Sequence, residues 1–175
     1  MTEYRRWWLP GGTYFFTVNL AERSRGLLVR HINVLREAVR QVKARHPFRL
    51  DAVVVLPDHL HCIITLPHGD DDFSVRLGGV KANFSRRIPG GERRSPSRVS
   101  KRERGVWQRR YWEHAIRDED DFRRHVDYLH YNPVKHGLVT RVSDWPYSSF
   151  HRYVRFGAYP LDWAACADDV AAGER

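Results

Sequence analysis

Two strands joined by a tight turn are encoded by residues 48–66, FRLDAVVVLPDHLHCIITL. The stretches Phe48 to Leu56 and His59 to Leu66 are rich in β-branched and apolar residues, which favour strands. The dipeptide Pro57-Asp58 between them is typical of a turn. A β-hairpin therefore stands at the centre of the predicted fold.

Strands and helices alternate around this hairpin. Apolar residues at helical spacing predict the helices, and a breaker or cap bounds most of the elements. In chain order we expect a strand Thr13 to Leu20, a helix His31 to Arg45, the hairpin, a helix of about Asp72 to Arg87 despite Gly78-Gly79, a strand Tyr111 to Ile116, and a helix that begins at the N-cap Asp118 and ends near Asn132, before Pro133. This order predicts an α+β fold, a ferredoxin-like sandwich with helices on an antiparallel sheet.

Length and composition favour one domain that binds a polyanion. The chain has 175 residues and a formal net charge of +9, which suits nucleic-acid partners. We expect a single domain over 1–163 and a flexible tail over 164–175. The apolar runs are too short to cross a membrane, and the N-terminus lacks a secretory signal, so a cytoplasmic protein is expected. Cys62 and Cys166 are interpreted as free thiols.

The positive charge is concentrated in one segment. Residues 89–104 contain Pro, Gly and Ser without apolar periodicity, which predicts a mobile basic loop. The loop and its flanks carry the basic residues Arg86, Arg87, Arg93, Arg94, Arg98, Lys101, Arg102, Arg104, Arg109 and Arg110. We expect this region to contact DNA phosphates, although a solvated, solubilising loop has the same composition.

The second strand of the hairpin carries two histidines on one face. Alternation places His59 and His61 on that face, with Cα atoms roughly 6.6 Å apart, and turns Leu60 towards the other. Two imidazoles at this separation can bind one metal ion. Paired histidines on a strand are also common as hydrogen-bonded structural residues.

The last predicted helix carries a polar edge. Phe122, Val126 and Leu129 form its apolar stripe, and Tyr128 projects roughly 130° from that stripe at about 100° per residue. Asn132 lies one turn after Tyr128, with Asp121 and His125 on the same side. We therefore expect Tyr128 outside the apolar core. A partly exposed tyrosine that hydrogen-bonds to solvent has the same spacing.

The two patterns together are suited to phosphodiester cleavage by a tyrosine. A phenol is mostly protonated at neutral pH, so it needs a nearby cation or base to act as a nucleophile. His59, His61 and Asn132 can form such a cation site beside Tyr128, for Mn²⁺ or Mg²⁺. The product would be a 5′-phosphotyrosine and a free 3′-OH.

The chain resembles a known family over about Tyr4 to Trp163. The segments LPDHLHCI (56–63), WQRRYWEHAIR (107–117) and VDYLHYNPVKHG (126–137) are similar to the REP-associated tyrosine transposases, single-tyrosine members of the HUH nuclease superfamily. The resemblance implies an HUH endonuclease fold, His59 and His61 as the metal pair, Asn132 as third ligand and Tyr128 as nucleophile. It also implies repetitive extragenic palindromic (REP) hairpins of single-stranded DNA as substrate, and a monomer. The segment 89–104 departs from the family in being longer and more basic.

Mixed arginines and aromatic residues predict further DNA contacts. The expected contacts are Arg5, Arg6, Arg93, Arg94, Arg102, Arg109, Arg110 and Trp107. Two other functions fit parts of the pattern. A non-catalytic ferredoxin-like nucleic-acid-binding module would need neither the histidine pair nor Tyr128, and a plasmid-type replication initiator would need more domains.

Overall fold

Four strands and the helices around them make up the fold. The structure is a computed structural model that describes residues 8–164. Its elements are β1 (Thr13–Asn19), α1 (Leu27–Arg30), α2 (Ile32–Arg45), β2 (Arg49–Val55), β3 (His59–Thr65), α3 (Phe73–Arg87), α4 (Pro96–Ser100), β4 (Trp112–Ala115), α5 (Glu119–Lys135) and α6 (Phe150–Arg155), with 3-10 turns at Arg23–Arg25 and Val142–Asp144. The four strands and the helices α2, α3 and α5 are those predicted from the sequence, and the short helices α1, α4 and α6 were not.

The strands form one antiparallel sheet in the order β2-β3-β1-β4. In the register of its two central strands, Thr17 of β1 lies opposite His61 and Asn19 opposite His59. The predicted α+β fold with an antiparallel sheet is confirmed. The histidine pair therefore lies on the central strand β3, where both neighbouring strands hold it in place.

Each face of the sheet buries a separate apolar core. Tyr14, Phe16, Leu60 and Cys62 face α2 and α3. These two helices pack closely, since a Cβ on Gly79 would lie 3.0 Å from Cγ2 of Val42. The opposite core contains Phe15, Ala52, Val54, Ile63, Val126 and Leu129. Because side chains alternate along β3, His59 and His61 share the side of Ile63, towards α5.

Helix α5 begins where the sequence predicts and ends one turn later. The carboxylate of Asp118 accepts a hydrogen bond from the Asp121 amide at 2.7 Å, which caps the helix. The expected end near Asn132 is wrong, because the helix continues through Pro133 to Lys135. A proline removes one backbone donor, and in the last turn the helix still closes, with the His136 amide on the Asn132 carbonyl at 3.0 Å.

The basic segment is anchored rather than an open loop. It contains the five-residue helix α4, and the guanidinium of Arg104 donates to the Ser85 carbonyl at 2.6 Å and forms an ion pair with Glu92. Arg98 donates to the Trp107 carbonyl at 3.0 Å. These contacts give the segment local structure, and its mobility stays a prediction. The expected tail falls almost entirely on residues 165–175, outside the described residues.

Within residues 8–164, the helices are too short or too polar to pass through a lipid bilayer.

Candidate active site

The two histidines of β3 lie side by side beneath α5. His59 and His61 are 4% and 3% exposed, and their rings meet edge to face with centroids 5.0 Å apart. Buried polar side chains need partners, and here each ring has one on Nδ1. Nδ1 of His61 lies 2.9 Å from the hydroxyl of Thr17, and Nδ1 of His59 lies 2.7 Å from the carboxylate of Asp58.

These contacts leave Nε2 of both rings available as a ligand atom. A metal-binding imidazole characteristically donates its other N–H to an oxygen, which fixes the ring and its tautomer. Burial lowers the pKa of His61 well below its ordinary value, and the charge of a protonated His59 would lower it further. His61 is therefore neutral, and we assign its proton to Nδ1, facing Thr17. The lone pair of Nε2 then faces away from Thr17.

The carboxylate that holds His59 remains ionised. Burial raises the pKa of Asp58, but hydrogen bonds from Arg23 and His59 outweigh it and hold the pKa below the ordinary value. An ionised acceptor fixes the imidazole more strongly than a neutral one. Asp58 thereby connects the exposed Arg23 to the buried His59.

Tyr128 lies against the histidine pair, but it is buried. Its ring meets that of His61 at a centroid distance of 5.3 Å and packs on Phe15 at 6.0 Å. The expectation that Tyr128 lies outside the core is wrong, since it is 2% exposed. The whole predicted polar edge, Asp121, His125, Tyr128 and Asn132, faces the interior. Helix α5 is covered over a wide arc because the sheet and the C-terminal segment with Trp145, Tyr153 and Tyr159 both pack on it.

The amide of Asn132 completes the cluster. Asn132 is fully buried, and its proximity to the imidazole of His61 acts to raise the pKa of that ring. Among the described residues, neither polar atom of this amide finds a hydrogen bond of normal geometry, and neither does Nε2 of His61. Unsatisfied buried polar atoms are costly, and they are typical of sites that hold an ion or a ligand. An imidazole nitrogen and an amide oxygen here fit a divalent ion of borderline hardness.

A second group of possible ligands lies at the other end of α5. His114, Asp121 and His125 bring their ligand atoms within 4.8 Å of one another. These groups already bind each other, with Nε2 of His114 at 2.8 Å from the Asp121 carboxylate and Nδ1 of His125 at 2.8 Å from the Asp121 carbonyl. The carboxylate also accepts from the Arg117 amide at 3.0 Å. The described residues thus contain two places that can hold a divalent ion.

The expected DNA contacts divide into three groups. Arg93, Arg94, Arg102, Arg109 and Arg110 are exposed. Trp107 is 5% exposed, its indole donates to the Lys81 carbonyl, and its ring packs on Phe84. The expectation that Trp107 contacts DNA is therefore corrected to a core role. Arg5 and Arg6 lie outside the described residues.

The sequence did not identify every residue of the site. Thr17 and Asp58 hold the two imidazoles. The exposed Lys135 and His136 lie beside the cluster, with Nζ of Lys135 5.1 Å from the centre of the Tyr128 ring. Of these residues, only Asp58 could have been suspected from the sequence, because it directly precedes His59. Thr17 could be found only from the β1–β3 register.

Comparison with known proteins identifies close relatives over the whole chain. A REP-associated tyrosine transposase of Escherichia coli is 50% identical over 175 residues, which is 100% of this chain and 98% of that protein. A relative from Haemophilus influenzae is 46% identical over 175 residues, covering 99% of each chain. A solved structure of a REP-associated tyrosine transposase bound to a REP hairpin superimposes with a TM-score of 0.84 at 50% identity, covering 100% of this chain and 98% of that one. A scan against protein-family models gave no match.

Proposed function

Because the chain belongs to the REP-associated tyrosine transposases, we propose that it cuts and rejoins single-stranded DNA at REP-type hairpins. Tyr128 is the nucleophile in this proposal, and His59, His61 and Asn132 hold a divalent ion. The substrate is taken from the related protein whose structure is described as bound to a REP hairpin. The excess of positive charge in this chain is consistent with such a partner.

One observation carries the proposal: the ring of Tyr128 lies 5.3 Å from the ring of His61, on the same side of the sheet as His59. A phenol acting on a phosphodiester needs a cation beside the reacting phosphate. The short distance between the rings supports a phenol and an imidazole pair that act on one phosphate. The second cluster is less suited, because the carboxylate of Asp121 is already engaged by His114, the Arg117 amide and His125.

The reaction is a transesterification. The phenolic oxygen of Tyr128 attacks phosphorus and loses its proton, a bond from phosphorus to that oxygen forms, and the bond from phosphorus to the 3′ oxygen breaks. The 3′ oxygen takes up a proton and leaves as a 3′-OH. A second 3′-OH reverses these steps at another end, so cleavage and joining use one site.

The residues around the phenol have defined tasks. Thr17 and Asp58 orient the two imidazoles, and Phe15 packs against the Tyr128 ring. A bound divalent ion supplies charge neutralisation at the phosphate. Two imidazole nitrogens and an amide oxygen suit Mn²⁺ well and Mg²⁺ acceptably, so we propose these ions as cofactors.

The test is covalent capture of the DNA. The protein is mixed with a hairpin oligonucleotide in Mn²⁺ or Mg²⁺, and the mixture is resolved in SDS. We expect a protein–DNA adduct that is absent in EDTA and strongly reduced in His59→Ala and His61→Ala. A binding module without catalysis would hold the hairpin equally well in EDTA and give no adduct under any condition.

A further inference from the structure

Three cationic or titratable side chains lie at the exposed end of the candidate active site. They are Arg23, in the turn after β1, and Lys135 and His136, at the end of α5, and all three are exposed. We call them the cationic rim. The groups beneath them, His59, His61, Tyr128 and Asn132, are buried. Any phosphate that reaches the buried groups from this end must pass the rim.

Lys135 is held directly over the nucleophile. Its Nζ lies 5.1 Å from the centre of the Tyr128 ring. The two residues are seven positions apart, or two helical turns, and so share one face of α5. A lysine in the last turn also stabilises the helix dipole, but any position of that turn serves that purpose. Its place above the buried phenol, by contrast, is specific to this position.

Arg23 approaches the same site from the other side. It forms an ion pair with Asp58, whose second oxygen holds Nδ1 of His59 at 2.7 Å. The ring of His136 lies 5.0 Å from that of His59. Arg23 and Lys135 therefore approach the buried groups from two sides, Arg23 through Asp58 and Lys135 over the ring of Tyr128.

We propose that the cationic rim is a phosphate-binding site, in which Lys135 with Arg23 binds a backbone phosphate of the DNA strand that Tyr128 attacks. This inference rests on the proposed function and adds residues to it. Lysine and arginine are the usual partners of DNA phosphates. Tyr128 is 2% exposed, so the strand must enter beside its ring, and a flexible lysine can swing from the ring to the entering phosphate. The same charge then stabilises the phosphotyrosine.

The experiment locates the phosphate chemically. Each oligonucleotide of a series carries the hairpin with one neutral methylphosphonate at a different backbone position. Binding is measured with Mn²⁺ in a Tyr128→Phe background, which blocks cleavage. We expect one position at which neutralisation weakens binding about tenfold, as for removal of a charged hydrogen bond. In the double variant Tyr128→Phe, Lys135→Ala, binding of the normal hairpin also weakens, and neutralising that position then has a much smaller further effect, because only the contact with Arg23 remains.

Matched variants separate direct binding from general charge. Lys135→Arg restores the charge and should bind within about threefold of Lys135. Lys43→Ala removes the same charge from the exposed side of α2, beyond the opposite face of the sheet, and should show the full methylphosphonate effect. Equal losses of affinity in Lys43→Ala and Lys135→Ala, or methylphosphonate effects that stay unchanged in Lys135→Ala, overturn the proposal. If unmodified protein forms no SDS-resistant adduct, the proposed function fails. If the adduct forms but the methylphosphonate effect does not depend on Lys135, only the phosphate-binding role of the cationic rim is rejected.

Discussion

The hydroxyl of Thr17 lies 2.9 Å from Nδ1 of His61, across the pairing of β1 with β3. The contact holds the imidazole at Nδ1 and leaves Nε2 on the side of the ring away from Thr17. Thr17 thereby connects the register of the sheet to the geometry of the candidate active site. A shift of one residue in this register would turn the histidines to the opposite face.

Replacing Thr17 with Val tests this support. Valine keeps the shape and removes the hydroxyl, so we expect Mn²⁺ to bind roughly 10- to 100-fold more weakly, as when other metal-binding imidazoles are deprived of the oxygen that orients them. Isothermal titration calorimetry measures the affinity. Thr13→Val is the matched control: it removes a hydroxyl from the same strand and face, bonded to Thr65 at 2.8 Å, and should leave Mn²⁺ affinity unchanged. Equal affinities in the two variants would show that Thr17 has no role in the site.

Metal titration also distinguishes the two histidine clusters. His61→Ala removes a proposed ligand, and we expect it to abolish stoichiometric Mn²⁺ binding. Asp121→Asn should retain binding, because that carboxylate serves as hydrogen-bond acceptor for His114 and the Arg117 amide. It should instead lower the free energy of unfolding by about 1–3 kcal/mol, as for a damaged buried hydrogen-bond network. If Asp121→Asn abolishes Mn²⁺ binding and His61→Ala retains it, the ion binds at the cluster of His114, Asp121 and His125 instead.

The exposed arginines of the basic segment should contribute affinity without sequence preference. We expect the triple variant Arg93→Ala, Arg94→Ala, Arg102→Ala to bind hairpin DNA more weakly, with a salt dependence shallower by about one unit for each phosphate that is no longer neutralised. A triple variant of the exposed Arg36, Arg40 and Arg45 on α2 has the same net charge and is the control. Fluorescence anisotropy at several salt concentrations gives both slopes. Identical slopes would mean that the segment acts only through net charge.

A buried histidine makes stability fall in acid. Burial lowers the pKa of His130 to about 3, while its Nε2 lies 3.0 Å from the Ser149 hydroxyl. The unfolded chain takes up this proton below about pH 6.5 and the folded chain does not, so stability falls as the pH drops from there towards the folded pKa. At pH 5 the loss relative to pH 7 is about 2 kcal/mol from this group. Urea unfolding of wild type and of His130→Gln at both pH values measures the contribution of His130 to this loss. If the variant loses as much stability as wild type between the two pH values, His130 is not the cause.

Local sequence signals predicted most of the fold. The hairpin, the cap at Asp118 and the histidine face of β3 depend on neighbours in the chain, and they are found where expected. The end of α5 was misplaced because Pro133 marks a helix end only statistically. The hydrogen bond that this proline removes is tolerated in a final turn that Gly137 closes at φ +66°.

Burial depended on contacts that the sequence does not display. Tyr128 projects away from the apolar stripe of α5, yet it is buried because residues after 140 cover a second side of the helix. Trp107 lies in a basic, aromatic stretch, but it is buried in the core, where its ring packs on Phe84 and its indole N–H donates to the Lys81 carbonyl. Asn132 and Tyr128 were predicted from helical spacing, whereas Thr17 and Lys135 needed the strand register and the full length of α5.

The most direct test is the identity of the residue that carries the DNA. An adduct formed with a hairpin oligonucleotide and Mn²⁺ is digested with nuclease and trypsin, and the phosphopeptide is sequenced by mass spectrometry. We expect the nucleotide on Tyr128, with no adduct from Tyr128→Phe and a normal one from Tyr131→Phe, which alters a half-buried tyrosine on the same helix. A nucleotide on another residue, or an undiminished adduct from Tyr128→Phe, would contradict the account.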